Sequence, residues 1–301
     1  MSPLKTSNHS RDVLRFYYPY PRFPSVSITG AKCWLNCKHC GGHYLAHMPD
    51  VSSPEKLKDF CTDLDSKGGV GLLVSGGSTP DGRVPLEPFI PTLRWIKENT
   101  DLILEVHTGL LNQSEAEGLV STGMDIAAID VVGSDETIKR IYGLDAEVDD
   151  YWVTLSTLKD AGVAQVAPHI CVGLDYGEVR GEFKALELST MIDPDVIVFL
   201  GLIPTEGTAM AEVPPPSIEV VTNLIREATR LCPDTDVSLG CMLSRSDRAE
   251  MEIQVIKAGA RRVAMPSNRT IQSAVEMGYD VKILDGCCAI PESMESRALR
   301  G

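Results

Sequence analysis

From about residue 25 onward, short runs of β-branched and other apolar residues alternate with stretches that read as helical. The runs Val26–Thr29, Gly71–Ser75, Leu102–His107, Ile126–Val131, Gln165–Val172, Val196–Leu202, Asp236–Gly240 and Arg262–Met265 are expected strands. Helical stretches fall between them, among them Ser114–Ser121, Asp150–Ala161, Glu182–Met191, Ser217–Leu231 and Asp247–Ala258. Eight strands alternating with helices predict an α/β fold, a parallel (β/α)8 barrel of the TIM type, with a doubly wound sheet as the alternative. No low-complexity linker divides the chain, so residues 23–278 are expected to form one barrel domain.

The two ends differ from this body. Residues 1–22 are polar and then aromatic, and Pro19, Pro21 and Pro24 exclude a regular helix there. They are expected to form an arm packed on the body or reaching a partner. A ninth strand-like piece, Tyr279–Leu284, opens a tail over residues 279–301 that carries Cys287 and Cys288. About nine extended residues from Gly278 span ~30 Å, enough to bring this tail back to the catalytic end of the barrel.

Composition narrows the class. The 301 residues are 43% hydrophobic, enough for one large barrel. No uncharged apolar run approaches the ~18 residues of a bilayer span, and no secretory leader is recognisable. A cytoplasmic protein without a membrane partner is expected. A net charge of −14 argues against a nucleic-acid partner. Nine cysteines in an irregular grouping suit metal ligation in a reducing compartment better than disulfides.

The densest chemistry is the run Cys33-Trp-Leu-Asn-Cys37-Lys-His-Cys40, directly after the first expected barrel strand. A structural zinc takes four protein ligands, so a zinc loop would recruit His39 or His43. A [4Fe–4S] cluster can leave one iron open, and three cysteines at this spacing favour it. The spacing resembles that of the radical S-adenosylmethionine (SAM) enzymes. That resemblance implies that Cys33, Cys37 and Cys40 hold a [4Fe–4S] cluster whose open iron is chelated by SAM, and that cleavage gives a 5′-deoxyadenosyl radical. It also places His39 near the adenine.

Further motifs follow at the strand ends, where a parallel barrel carries its chemistry. Ser75-Gly76-Gly77-Ser78 resembles the family's Gly-Gly-Glu motif without its acidic member, implying backbone contact with the SAM amino group. Ile129-Asp130-Val-Val-Gly-Ser134 resembles strand four of the biotin synthase branch, with Asp130 near a ribose-binding position; an N-cap or turn acid is the plainer alternative. Gly173-Leu-Asp-Tyr-Gly177-Glu178 resembles the glycine-rich stretch that admits adenine, though Asp175 and Glu178 also suit an ordinary turn. Phe199–Met210 is similar to the branch's strand six, which puts Ile203 beside the adenine. The likeness covers residues 24–278.

The biotin synthase [2Fe–2S] site is not reproduced: two of its ligand positions fall at Val74 or Ser75 and at Glu105. Instead Cys241, Cys287 and Cys288 are expected to hold an auxiliary [4Fe–4S] cluster, with a serine, Cys171 or an external group as its fourth ligand. Adjacent cysteines need a turn to face one cluster, which Gly286 can supply. Buried inert thiols are the alternative, and this is the expectation for Cys61 and Cys232.

Within the family, the chain resembles the two-protein lipoyl synthases of archaea and some bacteria. That implies radical sulfur insertion into a protein-bound octanoyl chain, a sulfurtransferase activity in lipoate biosynthesis. The implied partners are an octanoylated lipoyl-carrier protein or peptide, a paralogous radical SAM subunit, and ferredoxin or flavodoxin as electron donor. A barrel interior low in charge would suit such a chain. The alternatives are a radical SAM rearrangement or cleavage without sulfur transfer, a non-enzymatic Fe–S carrier or scaffold, and a zinc-binding interaction module.

Overall fold

The computed structural model describes residues 13–300. Its strands are β1 (Val13–Tyr17), β2 (Ser25–Ser27), β3 (Gly71–Ser75), β4 (Ile103–His107), β5 (Ile126–Asp130), β6 (Gln165–Val172), β7 (Val196–Gly201), β8 (Asp236–Leu239), β9 (Arg262–Ala264) and β10 (Asp280–Leu284). All eight expected barrel strands are present, most ending a residue or two early. They form one ten-stranded sheet in the order β10-β1-β9-β8-β7-β6-β5-β4-β3-β2, with every pairing parallel.

The sheet differs from the closed eight-stranded barrel in two ways. It is a partial barrel whose edges are β2 and β10. It also includes β1, so the arm expected over residues 1–22 is part of the sheet from Val13 onward; residues 1–12 lie outside the described residues. Leu14 and Phe16 are fully buried, and Arg15 turns to the other face, where it pairs with Glu295 at 2.6 Å and Glu292 at 2.9 Å. The aromatic stretch thus reads as a strand once β9 and β10 supply ladder partners on both sides.

Helices cover the outside: α1 (Pro54–Ser66), α2 (Ile90–Asn99), α3 (Gln113–Val120), α4 (Asp135–Thr137), α5 (Val148–Asp160), α6 (Glu182–Thr190), α7 (Ile218–Leu231), α8 (Arg248–Ala258) and α9 (Asn268–Glu276). Side-chain caps start several of them. Ser53, Ser217 and Ser267 each accept the backbone N–H three residues on, and Asn112 and Glu115 form a reciprocal capping box.

Strand alternation sorts the side chains into two layers. On β4, Leu104 and Val106 join the large core between sheet and helices, while Ile103 joins a smaller core inside the bore. Glu105 and His107 share the inward face with Ile103. The smaller core is completed by the C-terminal tail: Cys288, Ala289, Ile290 and Ala298 pack against Ile103, Ile126, Ala167 and Val196. The side-chain amide of Gln165, at the start of β6, donates to the Ala289 carbonyl, and Arg262 donates to the carbonyls of Cys288 (3.2 Å) and Ile290 (2.6 Å). The tail therefore enters the bore where the strands begin, instead of returning over the catalytic end as its reach allowed.

Candidate active site and metal centre

The cysteine loop leaves β2 and is tied to the neighbouring strand ends. Trp34 N–H donates to Ser78 O at 3.0 Å, and Lys38 N–H to Ile141 O at 2.9 Å. The Gly77 N–H donates to Thr29 Oγ1 at 2.7 Å. A Cβ on Gly77 would stand 2.6 Å from Cys33 Cα and would also strike the Lys32 carbonyl, so only glycine lets β3 lie against this loop. Sulfurs of Cys37 and Cys40 and a ring nitrogen of His39 lie within 4.8 Å of one another. Cys33 belongs to the same loop, its Sγ 4.0 Å from Ser78 O. The Cys37 thiol donates to Cys40, which pulls Cys40 down and pushes Cys37 up.

Above the bore, His39 packs on Tyr142 with ring centroids 5.4 Å apart. Its Nδ1 is buried without a hydrogen-bond partner. Asp130, at the end of β5, faces His107 Nε2 at 3.4 Å, and His107 Nδ1 lies 3.4 Å from Ser75 Oγ. Burial raises the Asp130 carboxyl, but His107, His169 and His39 outweigh it and hold the group down to about 2. Burial lowers His107, yet Asp130 wins and leaves it raised. His169 is lowered by burial. Gly173 and Gly177 have φ of 77° and 87° in the turn closed by Gly177 N–H to Gly173 O at 2.8 Å. Ile203 is half-buried beside a latch in which Tyr44 Oη and Thr205 Oγ1 meet at 2.8 Å, linking the segment after the cysteines to the loop after β7. Asp175 is a buried anchor, held by Arg140 and Arg180 at 2.7 Å each, whereas Glu178 is an exposed partner of Arg180.

Deeper in the bore lies a second group. Cys287 donates towards Cys288, which pulls Cys288 down and pushes Cys287 up. The Ser238 hydroxyl of β8 lies beside Cys288, and the Glu105 carboxylate of β4 beside Cys287. Cys241 is exposed just after β8, with Cys288 and Glu105 within electrostatic reach of its thiol. The groups acting on Cys171 are Asp130, Glu182 and Cys40, which places it with the upper group; the trio is not among them. Cys61 is buried on α1 and Cys232 half-buried after α7, as expected of ordinary thiols.

The family model described as the radical SAM superfamily matches residues 27–183, a little over half of the chain. The chain belongs to the radical SAM superfamily. Among its curated relatives, the biotin synthase of Acinetobacter calcoaceticus is 30% identical over 239 residues, covering 74% of this chain and 70% of that one. The biotin synthase of Syntrophotalea carbinolica is 24% identical over 223 residues, covering 71% and 66%. Methylornithine synthase superposes with a TM-score of 0.63 at 16% identity, over 90% of this chain and 84% of that one. A maturase of the [FeFe]-hydrogenase superposes at 0.65 and 17%, over 90% and 64%. At such identities these structures establish the fold alone.

As a radical SAM protein the chain uses a [4Fe–4S] cluster and SAM. The residues fit both: three cysteines lie in one loop, two of their sulfurs within 4.8 Å of a His39 ring nitrogen, and the Asp130 carboxylate lies within electrostatic reach of His39, whose buried Nδ1 has no hydrogen-bond partner. Two features escaped sequence reading. Glu105, known only as a position without cysteine, lies at the centre of the second group. His107 and His169, which gave no motif, line the upper one. With Arg15, Asp236 and Arg262 they make the bore charged, against the expectation of an interior low in charge. Strand parity would have found them: polar residues at alternate positions of β4 to β6 all turn inward.

Proposed function

We propose that this radical SAM enzyme inserts sulfur at an unactivated C–H bond, as a lipoyl synthase-type enzyme acting on an octanoyl chain borne by a carrier protein or peptide. The observation that carries the reading is the tail threaded into the bore, which sets Cys287 and Cys288 between Glu105 and Ser238 beneath the Asp130–His107 pair. Cys241, Cys287 and Cys288 would hold the auxiliary cluster. When bound, the two clusters and SAM supply a carbon-centred radical and sulfide.

The protein's share is positioning and exclusion of water. Asp130, ionised across the physiological range, accepts the ribose hydroxyls. Ser75, Gly76 and Gly77 present backbone to the SAM amino group. Gly173 and Gly177 open the backbone to the adenine, and Ile203 covers it under the Tyr44–Thr205 latch. The proposed partners are a paralogous radical SAM subunit and ferredoxin or flavodoxin as electron donor.

The deciding experiment counts iron and acid-labile sulfide in anaerobically reconstituted protein beside a Cys33/Cys37/Cys40→Ala variant. About eight irons falling to about four supports the reading. About four falling to none leaves Cys241, Cys287 and Cys288 as ordinary thiols. That result would favour a radical reaction without sulfur transfer. The charged bore, with His107, His169 and Glu105 facing inward, makes a polar substrate the second reading.

A further inference from the structure

Glu105 stands in the middle of β4, 1% exposed, and among the described residues its carboxylate meets no hydrogen-bond donor other than the Cys287 thiol. Buried polar atoms are rarely left in this state, and a buried carboxylate is costlier still. No arginine or lysine offsets it: the groups acting on Glu105 are the Cys287 thiol and His107, and His107 is engaged by Asp130. The nearby Arg262 is committed to Asp236 at 2.7 Å and to two tail carbonyls. A cation bound by Glu105 and Cys287 would satisfy the carboxylate.

We infer that Glu105 is the fourth protein ligand of the auxiliary cluster, binding through a carboxylate oxygen the iron that Cys241, Cys287 and Cys288 leave uncovered. The inference rests on the auxiliary-cluster reading above. Ser238 is the other oxygen donor here, its buried Oγ against the Cys288 sulfur. A serine hydroxyl must lose a strongly held proton to become an anionic ligand, whereas a carboxyl gives up its proton to a metal far more readily, even where burial pushes it up to about 7 as at Glu105. Ser238 therefore serves the Cys288 sulfur as a hydrogen-bond donor. Oxygen is a harder donor than thiolate and suits cluster iron less well, so the iron on Glu105 is the one most readily lost.

The test uses the full chain carrying the Cys33/Cys37/Cys40→Ala substitutions, so that only the auxiliary site remains. Iron, sulfide and the electron paramagnetic resonance spectrum are compared with and without Glu105→Gln, Glu105→Cys and Ser238→Ala. The parent and S238A hold about four irons. E105Q loses about one, and its oxidised form shows the signal of a three-iron cluster. E105C regains about four irons with an altered spectrum of the reduced cluster. E105Q with the parent's iron count and spectrum overturns the ligand assignment. A parent that binds no iron overturns the auxiliary-cluster reading itself. Should E105Q lose its cooperative melting transition, E105C decides: a spectrum unchanged from the parent also overturns the assignment.

Discussion

Single residues set the geometry at the catalytic end. Gly77 is the sharpest case, because a methyl group there meets Cys33 Cα at 2.6 Å. Gly77→Ala should push the cysteine loop off β3, losing about four irons per chain, at a stability cost of about 1–3 kcal/mol. Iron analysis together with a melting curve separates local displacement from unfolding. Asp130 and His107 make a pH-dependent pair. His107 is raised above 6.5, so its stabilisation is complete below that pH and fades as pH rises through its folded value. Asp130 is held to about 2, so its contribution is present above 3.8 and fades only as pH falls towards 2. Asp130→Asn should therefore lower Tm most between about pH 4 and 6.5, where both contributions are present, and less as pH rises through the raised folded value of His107. A Tm difference that stays constant with pH would disprove this pairing. The same variant should bind SAM about tenfold or more weakly, in line with about 1.5–3 kcal/mol for a hydrogen bond to a charged group.

At the scale of elements, the strands and helices of the barrel follow from local pattern, whereas the two chain ends do not. Side chains within one turn fix the starts of α3, α5 and α7, such as Asn112 with Glu115, and α3, α5, α6, α7 and α8 all fall within a residue or two of their expected bounds. β1 is different: its five residues are a strand only because β9 and β10, some 250 residues later, bracket them. The tail is held in the same non-local way. Ile290 is fully buried in the inner core, and Arg262 and Gln165 hold the backbone around it. Ile290→Ala should cost about 2–5 kcal/mol. Chemical denaturation measures this directly, and a cost below about 1 kcal/mol would mean that the tail is not an integral part of the core.

On the scale of the whole molecule, the partial barrel brings three distant pieces of chain into one bore: the cysteine loop near residue 37, the inward faces of β4 to β8, and the tail near residue 288. Cys287→Ala with Cys288→Ala should leave SAM cleavage measurable while abolishing any sulfur-containing product; product analysis by mass spectrometry checks it, and thiolated product from the double variant would remove the tail from the chemistry. Among the described residues no helix is long and apolar enough to cross a membrane. The amino-acid sequence by itself determined the parallel α/β architecture, the cysteine loop and the glycines and acid around it, because each is set by local spacing and strand-end position. Only the tertiary structure decided that the barrel stays open, that residues 13–17 are a strand, and that the tail fills the bore. It alone brought Glu105, His107, Ser238 and Cys288 together in one bore. Those facts depend on which faces meet across the bore, and residues more than 100 positions apart carry no local signal of meeting.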